Sequence, residues 1–512
     1  MPREPMHTPH PTATGHRGPS APRASGRRSC KLALAGALTL FFLLTVAAPA
    51  SAFSTQYAFT INGHGWGHGV GMSQWGAYGY AKHGWAYKDI LKHYYTGISF
   101  STVANSIIRV NLRSGLSAVK LTCPHDYTVQ GTGAASTIPA NTVATTRWTS
   151  SGYRVVAGSL RKTFTGAPTF TPSTGALSLI TTTDLGDNGA YRGTIRVVHS
   201  SGLIMINHVP LESYLRGVVP HEVSPSWPIE ALKTQACAAR AFALGSRQPS
   251  KARDVYCDVR DQAYVGVGIE DSHTDAAVSG TAGVCPMYGG KPIVATYFSC
   301  SGGQTEDVKY VWGGDYPYLK GVDDPYDSYA PLHDWGPLRR SPTEVGGPLD
   351  GAGTVRAVCT VKRGASPRIV KAAIIGSGGT KYIDGGSLRI KLGLDSTWVM
   401  FTSMGISPAA RDAASVAAGG SITLRGRLYP ALADGAEVTL HFYYDGRWRS
   451  RAVSTTRKSE SLPAGYTAHY SVYEESVSPT SATKYYFSRG TAKSPVTTIR
   501  VKELRTHGGP GW

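Results

Sequence analysis

The sequence predicts an α+β protein whose larger, β-rich part carries a few helices and is followed by a small all-β unit. Three observations support this reading. Charged residues make up only 17% of the chain while Gly reaches 60 and Tyr 28, a balance that suits strands, turns and aromatic-lined grooves more than helical bundles. Short runs of alternating apolar and polar residues recur along most of the chain, and helical spacing is concentrated in two segments. The 512 residues are enough for two or three compact units with their own cores.

The chain opens with an expected export signal over 1–52. A basic leader ends at Arg27-Arg28, an apolar run extends from Leu32 to Ala48, and the small residues Ala50, Ser51 and Ala52 form a cleavage site that leaves Phe53 first. The apolar run is shorter than a membrane span and lacks a basic stop-transfer flank, so a retained anchor is the weaker reading. The arginine pair fits a twin-arginine signal poorly. Removing six Lys/Arg and one acid with the leader leaves about +14 of the formal +19. No nucleic-acid-binding module is visible, so the acidic partner expected of an exported chain is the envelope, with its wall carboxylates and phosphate polymers. Cys30 leaves with the signal; Cys123, Cys237, Cys257, Cys285, Cys300 and Cys359 remain, an even number that favours disulfides outside the cell without choosing among fifteen connectivities.

The larger unit is expected over 53–402. Tyr87 to Tyr95 reads as a helix, with Ile90, Leu91 and Tyr94 at helical spacing. Residues 105–208 alternate in short runs, such as Ile107 to Leu112 and Thr194 to Val198, separated by Ser, Thr, Gly and Pro; this is β structure. The strongest helix runs from Trp227 to Ser246, with Ser226 as N-cap, Pro228 in the first turn and Glu230 complementing the dipole. Small residues Ala236, Ala239 and Ala243 give it a face for close packing. Val284–Tyr288, Gly289-Gly290 and Pro292–Phe298 read as a hairpin. Residues 403–505 alternate at spacings typical of an immunoglobulin-like sandwich, an accessory unit with no catalytic cluster, before a flexible tail over 506–512.

Two stretches stand apart. In Gly63 to Ala77, Gly occupies every second position up to Gly71, which lets the backbone approach a neighbour closely. If extended, the stretch puts His64, Trp66 and His68 on one face, suited to stacking on and hydrogen bonding with a sugar; a glycine strand packed against another sheet fits the same pattern. A zinc site would want the two histidines on a helix with a Glu between them and a third ligand, and neither condition is met, so no metal is expected. The second stretch runs from Val209 to Pro228. There Glu222 lies among valines and prolines just before a tightly packed helix, where partial burial would raise its pKa toward that of a useful general acid.

Together, Gly63–Ala81, Val209–Ala243, Gly289–Thr305 and Ser387–Phe401 resemble the SpoIID/LytB family, a likeness spanning most of 57–402. The resemblance implies a SpoIID-like catalytic domain in which Glu222 is the catalytic acid of the "VVPxE" segment. It also implies that His64, His68, Met72, Ser73 and Gln74 line a glycan cleft, that Arg240 lies behind it, and that Ser299, Ser301, Gly302 and Gly303 form its "SxSGG" turn. Two departures are visible: the Gly/His motif precedes the catalytic segment, a permuted order, and only Cys257 stands where many relatives carry two cysteines or zinc.

The reaction implied is lytic transglycosylation of peptidoglycan, in wall remodelling or sporulation. Hydrolytic glycosidases normally need two carboxylates, whereas one carboxylic acid suffices if the C6 hydroxyl of N-acetylmuramic acid closes a 1,6-anhydro ring. No strong second carboxylate accompanies Glu222 in its segment. The expected partners are glycan strands, with anionic wall polymers or other wall hydrolases beside them, and the expected location is secreted and wall-associated, with no cofactor. The alternatives are a non-catalytic wall-binding protein or amidase enhancer, and, with little support, a zinc peptidase or amidase.

Overall fold

The computed structural model describes residues 54–502 except 187, 350, 351 and 413. The expected export segment, its cleavage point before Phe53 and the expected tail over 506–512 lie outside the described residues. No helix among the described residues is long and apolar enough to cross a membrane.

Two sheets dominate residues 105–208. One has seven strands in the order Val255–Tyr256, Ile107–Leu116, Leu203–Pro210, Thr194–His199, Thr169–Pro172, Tyr127–Gln130 and Ser136–Ile138. The other has six: Leu160–Phe164, Gly152–Ala157, Ala144–Thr149, Val119–Thr122, Leu177–Leu179 and Ala190–Tyr191. The alternation that predicts these strands also sorts their side chains, so that Ile108, Val110 and Leu112 are fully buried.

The helices that meet this core include α1 (Gln74–Lys82), α2 (Tyr87–Tyr94), α3 (Leu211–Arg216), α4 (Val219–Glu222) and α5 (Ile229–Gly245). Helix α5 is buried on nearly every side from Ala231 to Ala243, and its alanines let α1 and α2 pack close. Its N-cap is Pro228, not Ser226: the Ser226 hydroxyl pairs with that of Ser224 at 2.8 Å, and no side chain caps the helix. In the expected hairpin, Val284–Tyr288 pairs with Lys291–Pro292 through left-handed Gly289 and Gly290. The second strand stops there, because Tyr297–Phe298 pairs in parallel with Met72–Ser73 instead.

The unit boundary expected at 402/403 falls inside the strand Val399–Ile406. That strand pairs with Gln56–His64 on one side and Ile422–Tyr429 on the other, so one sheet runs from Asp334–Arg340 through the N-terminal strand to Thr467–Val477 and Thr456–Ser461. A second C-terminal sheet, ordered Ser415–Ala417, Thr497–Lys502, Thr483–Arg489, Glu437–Tyr444 and Arg447–Ser454, closes over Leu424, Leu440, Tyr473, Phe487 and Ile499. Tyr57, Ala357 and Ile375 pack with Tyr429, Leu462 and Ala468 in an apolar seam between the two units.

The expected disulfides are absent: Cys123, Cys237, Cys257, Cys285, Cys300 and Cys359 are all thiols. Several lie where a thiol serves as a small buried group, with Cys257 donating to Leu112 O at 3.3 Å and Cys123 to Ala176 O at 3.5 Å.

Candidate active site

The Gly/His stretch leaves its strand at His64 and does not continue extended. Gly65, Gly67, Gly69 and Gly71 all take positive φ, so the alternating glycines mark an irregular ribbon and not a one-faced strand. Two of them show why no side chain fits. A Cβ on Gly65 would lie 2.6 Å from the Ser301 backbone, and one on Gly69 would lie 2.4 Å from Nε of Arg368. The result separates the three side chains expected to share a face. His64 turns to Asp334, with Nδ1 2.5 Å from its carboxylate, and to the Trp398 ring, while Trp66 and His68 line a cleft.

His68 is fixed by two main-chain partners. Its Nδ1 accepts from Val70 N at 3.0 Å and its Nε2 lies 3.1 Å from Tyr297 O, a pairing that requires the neutral ring with the proton on Nε2.

After the ribbon, Ser73 caps α1 by accepting from Gly76 N at 3.0 Å and donates to Asp327 Oδ1 at 2.6 Å. Asp327 also accepts from the N–H groups of Ser301 and Gly302, tying the ribbon to the "SxSGG" turn. The neighbouring Asp324 is buried beside Asp327. Desolvation, then the Asp327 charge, pushes its pKa up to about 7, while hydrogen bonds hold that of Asp327 low.

This packing delivers Gln74 to Glu222. Glu222 ends α4, a single turn with Pro220 near its start, and is half-buried. The Gln74 Nε2 donates to Glu222 Oε2 at 3.3 Å, joining residues 148 positions apart. Behind Glu222 stands a buried relay: Tyr214 donates to Gln262 Oε1 at 3.1 Å, Gln262 Nε2 donates to the Tyr297 hydroxyl at 2.8 Å, and that hydroxyl hydrogen-bonds Glu222. Burial, then the adjacent Glu222 charge, holds the Tyr297 phenol well above its ordinary pKa, so it stays protonated as a donor.

The cleft around Glu222 has a volume of about 900 Å³, large enough for a few sugar residues. Trp66, Trp75, Trp227, Tyr297 and Phe298 give it aromatic walls, with the Trp75 and Trp227 rings 4.9 Å apart. Among the described residues lining it, Glu222 is the only carboxylate.

Of the residues singled out in the sequence, Trp66, His68, Gln74, Ser299 and Glu222 face this cleft. His64, Met72, Ser73, Arg240, Ser301, Gly302 and Gly303 do not. Met72, Ser73 and Ser301 are fully buried supports beneath the ribbon and turn. Arg240 is also fully buried, paired with Glu212 at 2.7 Å and donating to Val284 O, so it braces α3 against α5 and cannot touch a ligand. The sequence reading missed Trp75, Trp227, Gln262 and Tyr297. The two tryptophans lie inside the Gly63–Ala77 and Val209–Pro228 stretches and Tyr297 inside Gly289–Thr305, so all three were open to recognition; Gln262 lies outside these stretches.

A family model described as "Stage II sporulation protein" matches residues 199–288, the stretch that holds Glu222, α5 and Gln262. This part of the chain is thus similar to the SpoIID family. Stage II sporulation protein D of Bacillus subtilis is 30% identical over 211 residues, 37% of this chain and 60% of its own length. The amidase enhancer of the same organism is 36% identical over 113 residues, 22% of this chain and 15% of its own length. An uncharacterized protein of Brachyspira hyodysenteriae is 38% identical over 137 residues, 26% of this chain and 37% of its own. The chain thus spans less than two thirds of each of these relatives. No solved structure gives a significant match.

Proposed function

We propose that this chain is a SpoIID/LytB-family member, a secreted, wall-associated lytic transglycosylase that cuts peptidoglycan glycan strands in wall remodelling or sporulation, with Glu222 as its single acid and base. The observation that supports this most is the isolation of Glu222: it is the only carboxylate among the described residues lining an aromatic-walled cleft. A hydrolase would want a second carboxylate across the sugar, whereas a transglycosylase supplies its nucleophile from the substrate.

The protonated Glu222 donates to the glycosidic oxygen, the C1–O bond of N-acetylmuramic acid breaks, and N-acetylglucosamine leaves with a free hydroxyl. The resulting Glu222 carboxylate then takes the proton of the C6 hydroxyl as O6 bonds to C1. The 1,6-anhydro ring closes, no water is consumed, and the acid is regenerated. Gln74 and Tyr297 orient the carboxyl through both half-reactions, and the aromatic walls hold sugar faces.

We read the order of motifs as a permuted form of the family arrangement, in which the ribbon precedes the acid in sequence yet docks beside it, and the C-terminal pair of sheets as an immunoglobulin-like accessory unit. The likeness to an amidase enhancer favours one second reading, a protein that binds strands and assists another hydrolase without cutting them. Mass spectrometry of isolated glycan strands after incubation with the mature protein separates the two. New 1,6-anhydromuramic ends support the enzyme, and intact strands support the binder.

A further inference from the structure

The outer face of the second C-terminal sheet carries rings that its core does not need. The inner face supplies Val438, Leu440 and Phe487 to the apolar interior. On the outer face, cross-strand register sets Tyr443 opposite Trp448 and His441 opposite Tyr486. The Tyr443 and Trp448 rings lie 5.4 Å apart, Trp448 and Tyr486 5.0 Å, and Tyr486 stacks on His441 at 4.4 Å. Four rings therefore form one continuous strip, and Trp448 and Tyr443 remain 45% and 40% exposed.

The strip runs into a groove of about 610 Å³ between this sheet and the N-terminal strand, lined by Trp448, Tyr486, Lys493, Arg339 and Arg340. Lys493 Nζ sits 5.7 Å from the Tyr486 ring centre, and Arg339 donates to Thr491 O, which holds the cationic edge against the sheet. Among the described residues lining the groove one is a carboxylate, Glu344, and it is engaged in capping its own helix through Ser341 N and Oγ. Exposed rings offer faces for sugars, and three cations against one committed carboxylate ask for a negatively charged polymer.

We propose that this strip and groove form a second polysaccharide site, distinct from the Glu222 cleft, that binds a phosphate-bearing wall glycopolymer. The cleft around Glu222 is lined by no Lys or Arg among the described residues, whereas the groove gathers Arg339, Arg340 and Lys493 along one edge. Closely spaced cations match a polymer with charge in its backbone at each repeat better than a glycan strand, whose carboxylates hang on alternate sugars. The site rests on the export reading of the chain and is independent of the chemistry at Glu222. Its role is to hold the protein on the wall while the cleft works.

The test compares the mature protein with two pairs of substitutions, Trp448→Ala with Tyr486→Ala, and Arg340→Gln with Lys493→Gln, leaving Arg339 to hold its loop. Retention is measured on purified walls before and after acid extraction of the phosphate polymer, and product formation is measured on soluble glycan strands. Expected are a drop of about tenfold or more in affinity for intact walls with either pair, a similar drop for the wild type on extracted walls, weaker binding at high salt, and soluble-strand activity within about twofold of wild type. Trp448→Phe, which keeps a ring in the strip, should retain most binding; if the aromatic pair unfolds, the charge pair and Trp448→Phe decide the matter. Equal wild-type retention on extracted and intact walls would overturn the phosphate assignment. Wild-type-like binding by folded variants of both pairs, loss of a dimer in the variants, or tighter binding of a single-stranded oligonucleotide would overturn the site. A wild type that is retained on intact walls but cuts no strands would count against the Glu222 reading alone, whereas loss of strand cleavage in the folded variants would overturn the separateness of the site.

Discussion

The Gln74 side-chain amide donates to Oε2 of Glu222 at 3.3 Å, although the two residues lie 148 positions apart in the chain. That hydrogen bond is where the Gly/His ribbon meets the acid. Replacing Gln74 with Leu keeps the volume and removes the donor. The expected outcome is a folded protein whose rate of anhydro-end formation falls about 10- to 100-fold, the scale of one hydrogen bond to a charged group. Initial rates on isolated strands check it.

Tyr297 links Gln262 to Glu222 from the buried side. Tyr297→Phe removes the hydroxyl and leaves the Gln262 Nε2 with a weak 3.4 Å contact to Ala239 O as its remaining partner. A buried donor deprived of a good partner costs about 1–3 kcal/mol. The variant should show a lower thermal midpoint together with a changed pH profile of cleavage, since the acid loses its donor. A lower midpoint with an unchanged pH profile would make Tyr297 a packing residue only.

The sequence marks Arg240 as a special residue behind the site and leaves open whether it touches substrate or supports the fold. Its pairing with Glu212 at full burial predicts that Arg240→Ala costs about 3–5 kcal/mol by leaving Glu212 with an uncompensated charge. Thermal unfolding should register that loss, while the fraction that remains folded at low temperature should bind strands normally. Weakened strand binding by a fully folded variant would restore a ligand role.

Asp324 gives the ribbon a pH dependence. Its pKa rises from an ordinary 3.8 to about 7 through burial and the Asp327 charge, so the folded chain binds that proton more tightly than the unfolded chain. The stabilisation is full below the ordinary value and is lost as pH rises through about 7. Asp327, held low, contributes in the opposite sense, above its ordinary value, and loses its contribution in acid. Asp324→Asn stays neutral throughout, so its thermal midpoint should fall less than that of the wild type between about pH 5 and pH 8. Parallel curves would show that Asp324 titrates normally.

What the sequence made legible followed from local patterns. Helical spacing located α2 and α5 to within two residues at each end, and alternation located the strands of 105–208, because both patterns record which side of an element faces the core. Motif strings located Glu222 and Gln74. Long-range pairing was not legible: the sheet that joins Gln56–His64 to the C-terminal strands, and the relay from Tyr214 through Gln262 and Tyr297, depend on residues that single-chain periodicity does not connect. The alternating glycines suggested an extended face, but their positive φ values are open to glycine for the same reason that the spacing looked strand-like, and the backbone took the second option. Cysteine parity suggested disulfides, whereas parity says nothing about whether the thiols meet.

Mass spectrometry of purified glycan strands incubated with the mature protein, wild type beside Glu222→Gln, tests the assignment of Glu222 most directly. The Gln side chain keeps the size of the acid and most of its hydrogen bonding but cannot give or take the proton. The wild type should generate 1,6-anhydromuramic ends, and the variant should fold, bind strands and form such ends at least about 10²-fold more slowly, the lower bound for losing a general acid–base group. Near-normal anhydro ends from Glu222→Gln would contradict the mechanism, and a wild type that binds strands without forming them would leave a wall-binding protein in its place.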